Sequence, residues 1–204
     1  MAHARPPLSA RTTVLEPAQS VPQTPASRMA KEIAMLDCFS GGRIISGFVR
    51  GTAVESLHGG LDPSENFERF QEAHDLIIKC WTTPSPFRYE GKYYHYRAVN
   101  PWVLPVQKPH PDIWFPGTGS PESVVWAAQH QHLYMNLGAL VDVTEHWKGV
   151  YIDTAKQAGF TPRTRALRVA AADPGCRYRR EGHRVGSPVY VDRGAPGAGA
   201  ARAQ

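Results

Sequence analysis

Two short stretches hold residue types that could bind an anion. The first is Arg50, which closes the apolar run Arg43–Val49 and stands before Gly51. An arginine at the exit of a buried strand offers a forked, charged contact to a phosphate. A surface arginine at a loop start is the other reading, since arginine is mostly exposed. The second is Pro116–Pro121 (PGTGSP), with Ser123 just beyond it. Gly117 and Gly119 let a phosphate approach the backbone, and Ser120 and Ser123 add hydroxyl donors. The unpartnered N–H groups at a helix start and the helix dipole both favour negative charge there. The third glycine of a dinucleotide fingerprint is replaced by Glu122, and no Gly-Lys-Ser/Thr of a P-loop is present. An ordinary capped strand-to-helix turn therefore stays open beside the anion site.

Other chemistry-bearing residues lack partners in the sequence. Glu55, His58 and Glu65 follow Arg50 and are of general acid–base type, but also suit a solvated loop. His74 lies on an apolar helical face and is expected to pack rather than react. His130 and His132, two apart, do not share a helix face, and no metal is proposed.

The elements that must position these residues are readable from apolar spacing. Asp112–Phe115 (DIWF) is a buried strand and Glu122–Gln129 a helix capped by Ser120 or Ser123. Upstream, RMAKEIAMLDCF reads as a helix with Ser27 as cap, stopped by Ser40-Gly41-Gly42, and Arg43–Val49 reads as the strand that follows. That is the αβ half of a βαβ unit. Thr52–Ser64 reads as a polar loop and Glu65–Trp81 as a helix with Phe67, Phe70, His74, Ile77 and Trp81 on one face. Phe87–Tyr89 and Lys92–Arg97 read as a hairpin around Glu90-Gly91. Leu133–Leu137 is a candidate strand and Thr144–Ala158 a helix ended by Gly159. Val185–Val191 is a candidate edge strand.

Composition bounds the class. The 204 residues suit one or at most two domains, and 42% hydrophobic content supports a core. Three scattered cysteines, Cys38, Cys80 and Cys176, form no C-x-x-C pair, which fits a reducing cytoplasmic setting. No apolar run reaches the length of a membrane span or a secretory signal. The net charge of +5 belongs to the ends of the chain, because residues 29–160 hold eleven basic and fourteen acidic side chains. A nucleic-acid partner would need a basic stripe on the folded body, and none is visible.

Three blocks now stand in order: EIAMLDCFSGGRIISGFVRG, then FRYEGKYYHY with VNPWVLPVQKPHPDIWF, then GTGSPESVVWAAQ. In this order and spacing they resemble the bacterial luciferase-like family of flavin-dependent monooxygenases. The resemblance implies an α/β fold, a (β/α)8 TIM barrel with its site at the C-terminal strand ends. It implies reduced FMN as cofactor, whose reaction with oxygen gives a hydroperoxide that oxygenates an organic substrate. Arg50 would meet the flavin phosphate, with Gly119, Ser120 and Ser123 forming the rest of that site, and Val49 would lie near the flavin ring. No catalytic residue is assigned. A flavin reductase and a homo-oligomer are further partners it allows, with no membrane.

The resemblance covers residues 29–160 as a partial barrel domain. Residues 1–28 are expected to be an irregular N-terminal segment and 161–204 an Arg/Ala/Gly-rich irregular tail without a packed core, as truncation or a frame change would leave. Three alternatives follow: a non-catalytic barrel fragment with weak or no flavin binding, a deazaflavin-dependent oxidoreductase of the same fold, and a phosphosugar-binding barrel enzyme. The last lacks a paired carboxylate or lysine at a strand end.

Overall fold

The computed structural model describes residues 24–137, 141–161 and 167–170. They fall into two compact units divided after Pro116. The expected edge strand Val185–Val191, and most of the N-terminal segment, lie outside the described residues.

The first unit opens with helix α1, Ala26–Ser40, which buries Met29, Ala30, Ile33, Ala34 and Asp37 along one face. It starts earlier than a Ser27 cap would place it. Pro25 is the N-cap, and its carbonyl accepts from the Arg28 and Met29 amides at 2.8 and 3.1 Å. Ser27 thus lies inside the first turn. The two-glycine stop is as expected: Gly41 takes φ +65° and the Gly42 amide returns to the Asp37 carbonyl at 2.9 Å. The Asp37 carboxylate is fully buried and accepts from the Gln107 amide and side chain at 2.9 and 2.8 Å, tying α1 to the segment before the next strand.

Strand β1, Ile45–Gly47, is shorter than the apolar run that contains it. It runs parallel to β4, Asp112–Gly117, with Gly47 opposite Trp114, and the Phe48 amide donates to the Trp114 carbonyl at 2.9 Å. Between them come a short helix α2, Ala53–His58, a 3-10 turn Pro63–Glu65, and helix α3, Asn66–Thr82. The polar loop expected over Thr52–Ser64 is therefore partly helical. Thr52 and Glu55 form a reciprocal capping box, a local signal that holds a helix too short for apolar periodicity to reveal.

Strand alternation fixes the core. Phe48 meets Trp81 and His74 of α3 with ring centroids 6.0 Å apart in each pair, and Phe115 meets Phe70 at 5.1 Å. Phe48 and Phe115 therefore face α3, while Ile45 and Gly47 lie on the opposite face of β1. His74 is 4% exposed and bonded to Asp75, the packing role its position suggested.

The hairpin consists of β2, Phe87–Glu90, and β3, His95–Val99, antiparallel with a register irregularity between Phe87 and Tyr89. The second strand begins three residues later than Lys92. The reason lies on α3: the Glu72 carboxylate accepts the amides of Lys92, Tyr93 and Tyr94 at 3.1, 2.9 and 2.9 Å. Those donors are lost to the ladder, and a Cβ at Gly91 would fall on the same carboxylate. Glu72→Ala is expected to destabilise the chain by about 2 kcal/mol, since three charge-assisted bonds are exchanged for water at half-exposed amides. Urea unfolding checks this; a loss below about 0.5 kcal/mol would mean water serves the three amides equally well.

The second unit contains α4, Pro121–Gln129, β5, Leu133–Leu137, α5, Val141–Gln157, and β6, Leu167–Ala170. β6 pairs parallel with β5 from Tyr134↔Leu167 to Leu137↔Ala170, a strand that the reading of the tail did not include. Helix α5 starts three residues before Thr144 and ends as expected, with Gly159 at φ +79° beyond it. Its Tyr151 is 2% exposed and donates to the His132 carbonyl at 2.8 Å, which locks α5 onto the start of β5. Among the described residues no helix is long and apolar enough to cross a membrane.

Candidate functional site

In the first unit Arg50 follows β1 directly, half-buried, with its guanidinium 5.5 Å from the Phe67 ring centroid. The contact orients the planar cation over the ring. Gly51 beyond it has φ +80°, which turns the chain sharply into α2. Val49, two residues beyond β1, is half-buried. Helical spacing places Phe67 only on a core-facing side of α3, and its place beneath Arg50 is a tertiary contact that spacing does not announce.

Two of the three acid–base candidates near Arg50 serve structure. Glu55 accepts the Thr52 amide at 2.6 Å, and that bond holds its carboxyl below the ordinary glutamate range. Glu65 pairs with Arg69 at 2.8 Å. His58, in the last turn of α2, is exposed.

In the second unit the glycine-serine loop leads into α4 as a capped helix. The Ser120 side chain accepts from the Ser123 amide at 3.5 Å, and the Ser120 carbonyl accepts from Val124 at 3.1 Å. Pro121 occupies the first helical position, where no donor is required. Ser120 is half-buried, whereas Ser123 is 5% exposed. The Gly119 amide is committed to the Tyr134 hydroxyl at 2.9 Å. Gly119 takes φ +94°, and a Cβ there would stand 2.6 Å from Trp147 Nε1; one at Gly117 would stand 2.7 Å from the Tyr134 hydroxyl. Both glycines are thus required by close aromatic neighbours. Tyr134 and Trp147 were not foreseen as loop supports, although Tyr134 is an inward position of a strand the sequence did reveal.

A cleft of about 140 Å³ opens elsewhere in the first unit, lined in part by Ala30, Lys31, Cys80, Trp81, Tyr96 and Val99. It meets the last turn of α3, about 21 Å along that helix from Phe67 at 1.5 Å per residue. Burial pushes the Cys80 thiol up to about 11, which keeps it a protonated, packing side chain at neutral pH.

Residues 8–174 match the sequence profile described as luciferase-like monooxygenase. The y4wF protein of Sinorhizobium fredii is 35% identical over 102 residues, covering 50% of this chain and 29% of its own length. The FMNH2-dependent dimethylsulfone monooxygenase of Pseudomonas putida is 29% identical over 117 residues, covering 55% and 32%. Among solved structures, the monooxygenase RslO1 of Streptomyces bottropensis superposes with a TM-score of 0.68 at 25% identity, covering 78% of this chain and 48% of that one. The oxygenating constituent of 3,6-diketocamphane monooxygenase from Pseudomonas putida, solved with FMN, gives 0.66 at 22% identity, covering 74% and 45%. An F420-dependent secondary alcohol dehydrogenase, solved with an F420–acetone adduct, gives 0.61 at 18% identity, covering 79% and 47%. The chain spans about a third of the length of the curated relatives it matches and about half of the solved chains.

Proposed function

The chain belongs to the luciferase-like monooxygenase family and has its α/β barrel class of fold, and on that premise we propose that it acts as a flavin-dependent monooxygenase on an organic substrate, with FMN as cofactor. The observation that carries the cofactor assignment is Arg50, held over Phe67 at the exit of a parallel strand where a flavin phosphate can be met. Bound reduced FMN supplies the electrons that let one oxygen atom enter the substrate while the other leaves as water.

The chain's own residues bind and orient. Arg50 provides the charged fork for the phosphate, and Val49 provides an apolar contact for the ring. Independently, the second unit offers a capped helix start, with Ser120, Ser123 and the backbone shape set by Gly119 suited to an anion. The same proposal takes 29–160 as the partial barrel domain, extended by β6, Leu167–Ala170, which pairs with β5, between the terminal segments 1–28 and 161–204. A separate flavin reductase as the source of reduced cofactor, and a homo-oligomer, belong to the same proposal.

Titration of the full chain with FMN, followed by flavin fluorescence, tests the reading. Arg50→Ala is expected to weaken binding by about 1.5–3 kcal/mol, roughly 10- to 150-fold. An unchanged affinity removes Arg50 from the site. Saturable binding of F420 with no binding of FMN would overturn the cofactor assignment.

A further inference from the structure

The cleft between α1, the end of α3 and the hairpin has an apolar floor and a cationic rim. Its buried lining includes Ala30, Cys80, Trp81 and Val99, each at most 6% exposed. Its outer lining includes the exposed Lys31 and Asn100 and the half-buried Tyr96. The volume of about 140 Å³ is that of one ring, since an apolar cavity of about 150 Å³ holds benzene. The fused rings and ribityl phosphate of a flavin are far too large for it. The Trp81 indole donates to the Ala30 carbonyl at 2.9 Å, so two of the walls are fixed to each other before any ligand arrives.

The charge in this cleft has one sign. No lining side chain is acidic, and Lys31 is basic. Among the described residues no carboxylate pairs with Lys31; Glu32, its neighbour on α1, is held by Arg28 at 2.7 Å. Lys79 precedes Cys80 on α3 and lies over the Phe87 and Tyr89 rings at 4.7 and 5.7 Å. Both lysine charges reach the Cys80 thiol in the floor. Low-dielectric walls beneath an unpaired cation favour a ligand that is apolar at one end and anionic at the other. We propose that this cleft is a second ligand site, which takes a small single-ring carboxylate with its ring on Trp81 and Val99 and its carboxylate at Lys31. The site goes beyond the flavin reading and does not depend on it, because it lies at the far end of α3 from Phe67 and Arg50.

Fluorine NMR of the full chain with para-fluorobenzoate and para-fluorobenzyl alcohol tests this, with and without FMN. Saturable binding of the benzoate is expected, about tenfold tighter than the alcohol, weakened by added salt, and unchanged by FMN or by Arg50→Ala. Lys31→Gln alters an exposed side chain, so thermal unfolding is expected to stay as in the wild type, while the benzoate falls to the affinity of the alcohol. Val103→Trp fills the cleft from the half-buried loop after β3 and is expected to abolish binding of both compounds. Benzoate is expected to raise the unfolding midpoint of the wild type and not that of Val103→Trp. If Val103→Trp does not fold, Lys31→Gln decides. The absence of saturable benzoate binding overturns the inference, as does an unchanged benzoate affinity in Lys31→Gln. Displacement of benzoate by FMN, or its loss in Arg50→Ala, also overturns it and puts the benzoate in the cofactor site. A chain that binds benzoate through Lys31 but does not bind FMN keeps this site and loses the flavin reading.

Discussion

Trp81→Ala is expected to lower the free energy of unfolding by about 3–5 kcal/mol, a large share of the roughly 5–15 kcal/mol available to a domain. Trp81 is 1% exposed and lies 6.0 Å, centroid to centroid, from both Phe48 and His110. Its indole Nε1 donates to the Ala30 carbonyl at 2.9 Å, so one side chain joins α1, α3 and the approach to β4. Truncation removes the packing of all three elements at once and leaves a cavity that fixed helix backbones cannot close. Trp81→Phe separates the terms: it keeps most of the apolar volume, loses the hydrogen bond, and is expected to cost about 1–2 kcal/mol. Urea unfolding followed by circular dichroism reads both. A cost for Trp81→Ala below about 1.5 kcal/mol would mean that the site collapses around the smaller side chain.

Gly119→Ala combines two penalties in the glycine-serine loop. A φ of +94° is a conformation that L residues rarely adopt, and the added Cβ would press on the Trp147 indole. Strain and overpacking together are expected to destabilise the chain by about 3 kcal/mol. They also move the Ser120 cap, so FMN affinity is expected to fall at least tenfold if this loop meets the cofactor. A double-mutant cycle with Trp147→Ala apportions the effect: the steric part is relieved and the backbone strain stays. A double variant as stable as Trp147→Ala alone would show that φ at residue 119 costs nothing, and an unchanged FMN affinity in Gly119→Ala would remove the loop from the cofactor site.

Much of this protein is determined by local sequence. Met29, Ile33 and Leu36 recur at helical spacing, DIWF forms a short apolar run, Gly41 needs a left-handed conformation, and Ser120 precedes a proline-started helix. Each is decided within a few residues, by sterics and by hydrogen bonds between near neighbours, so the helices α1, α3, α4 and α5, the strands β1 to β5 and the capped loop are readable, while α2 and β6 are not. The family follows from the same blocks, because their order along the chain carries it. What the sequence left open depends on partners far along the chain. Glu72 lies twenty residues before the amide of Lys92 that it captures, and that capture delays β3. Tyr134 lies fifteen residues beyond the Gly119 amide it accepts, and Phe67 comes under Arg50 only once β1 and α3 share a core. Helix α2 is the intermediate case: its capping box is written in Thr52 and Glu55, but only the burial of Ser56 reveals which way Val54 and Leu57 face. Periodicity reports which face of an element is apolar. Which side chain lies across from it is settled by packing, where contacts between distant segments offset the entropy of bringing them together.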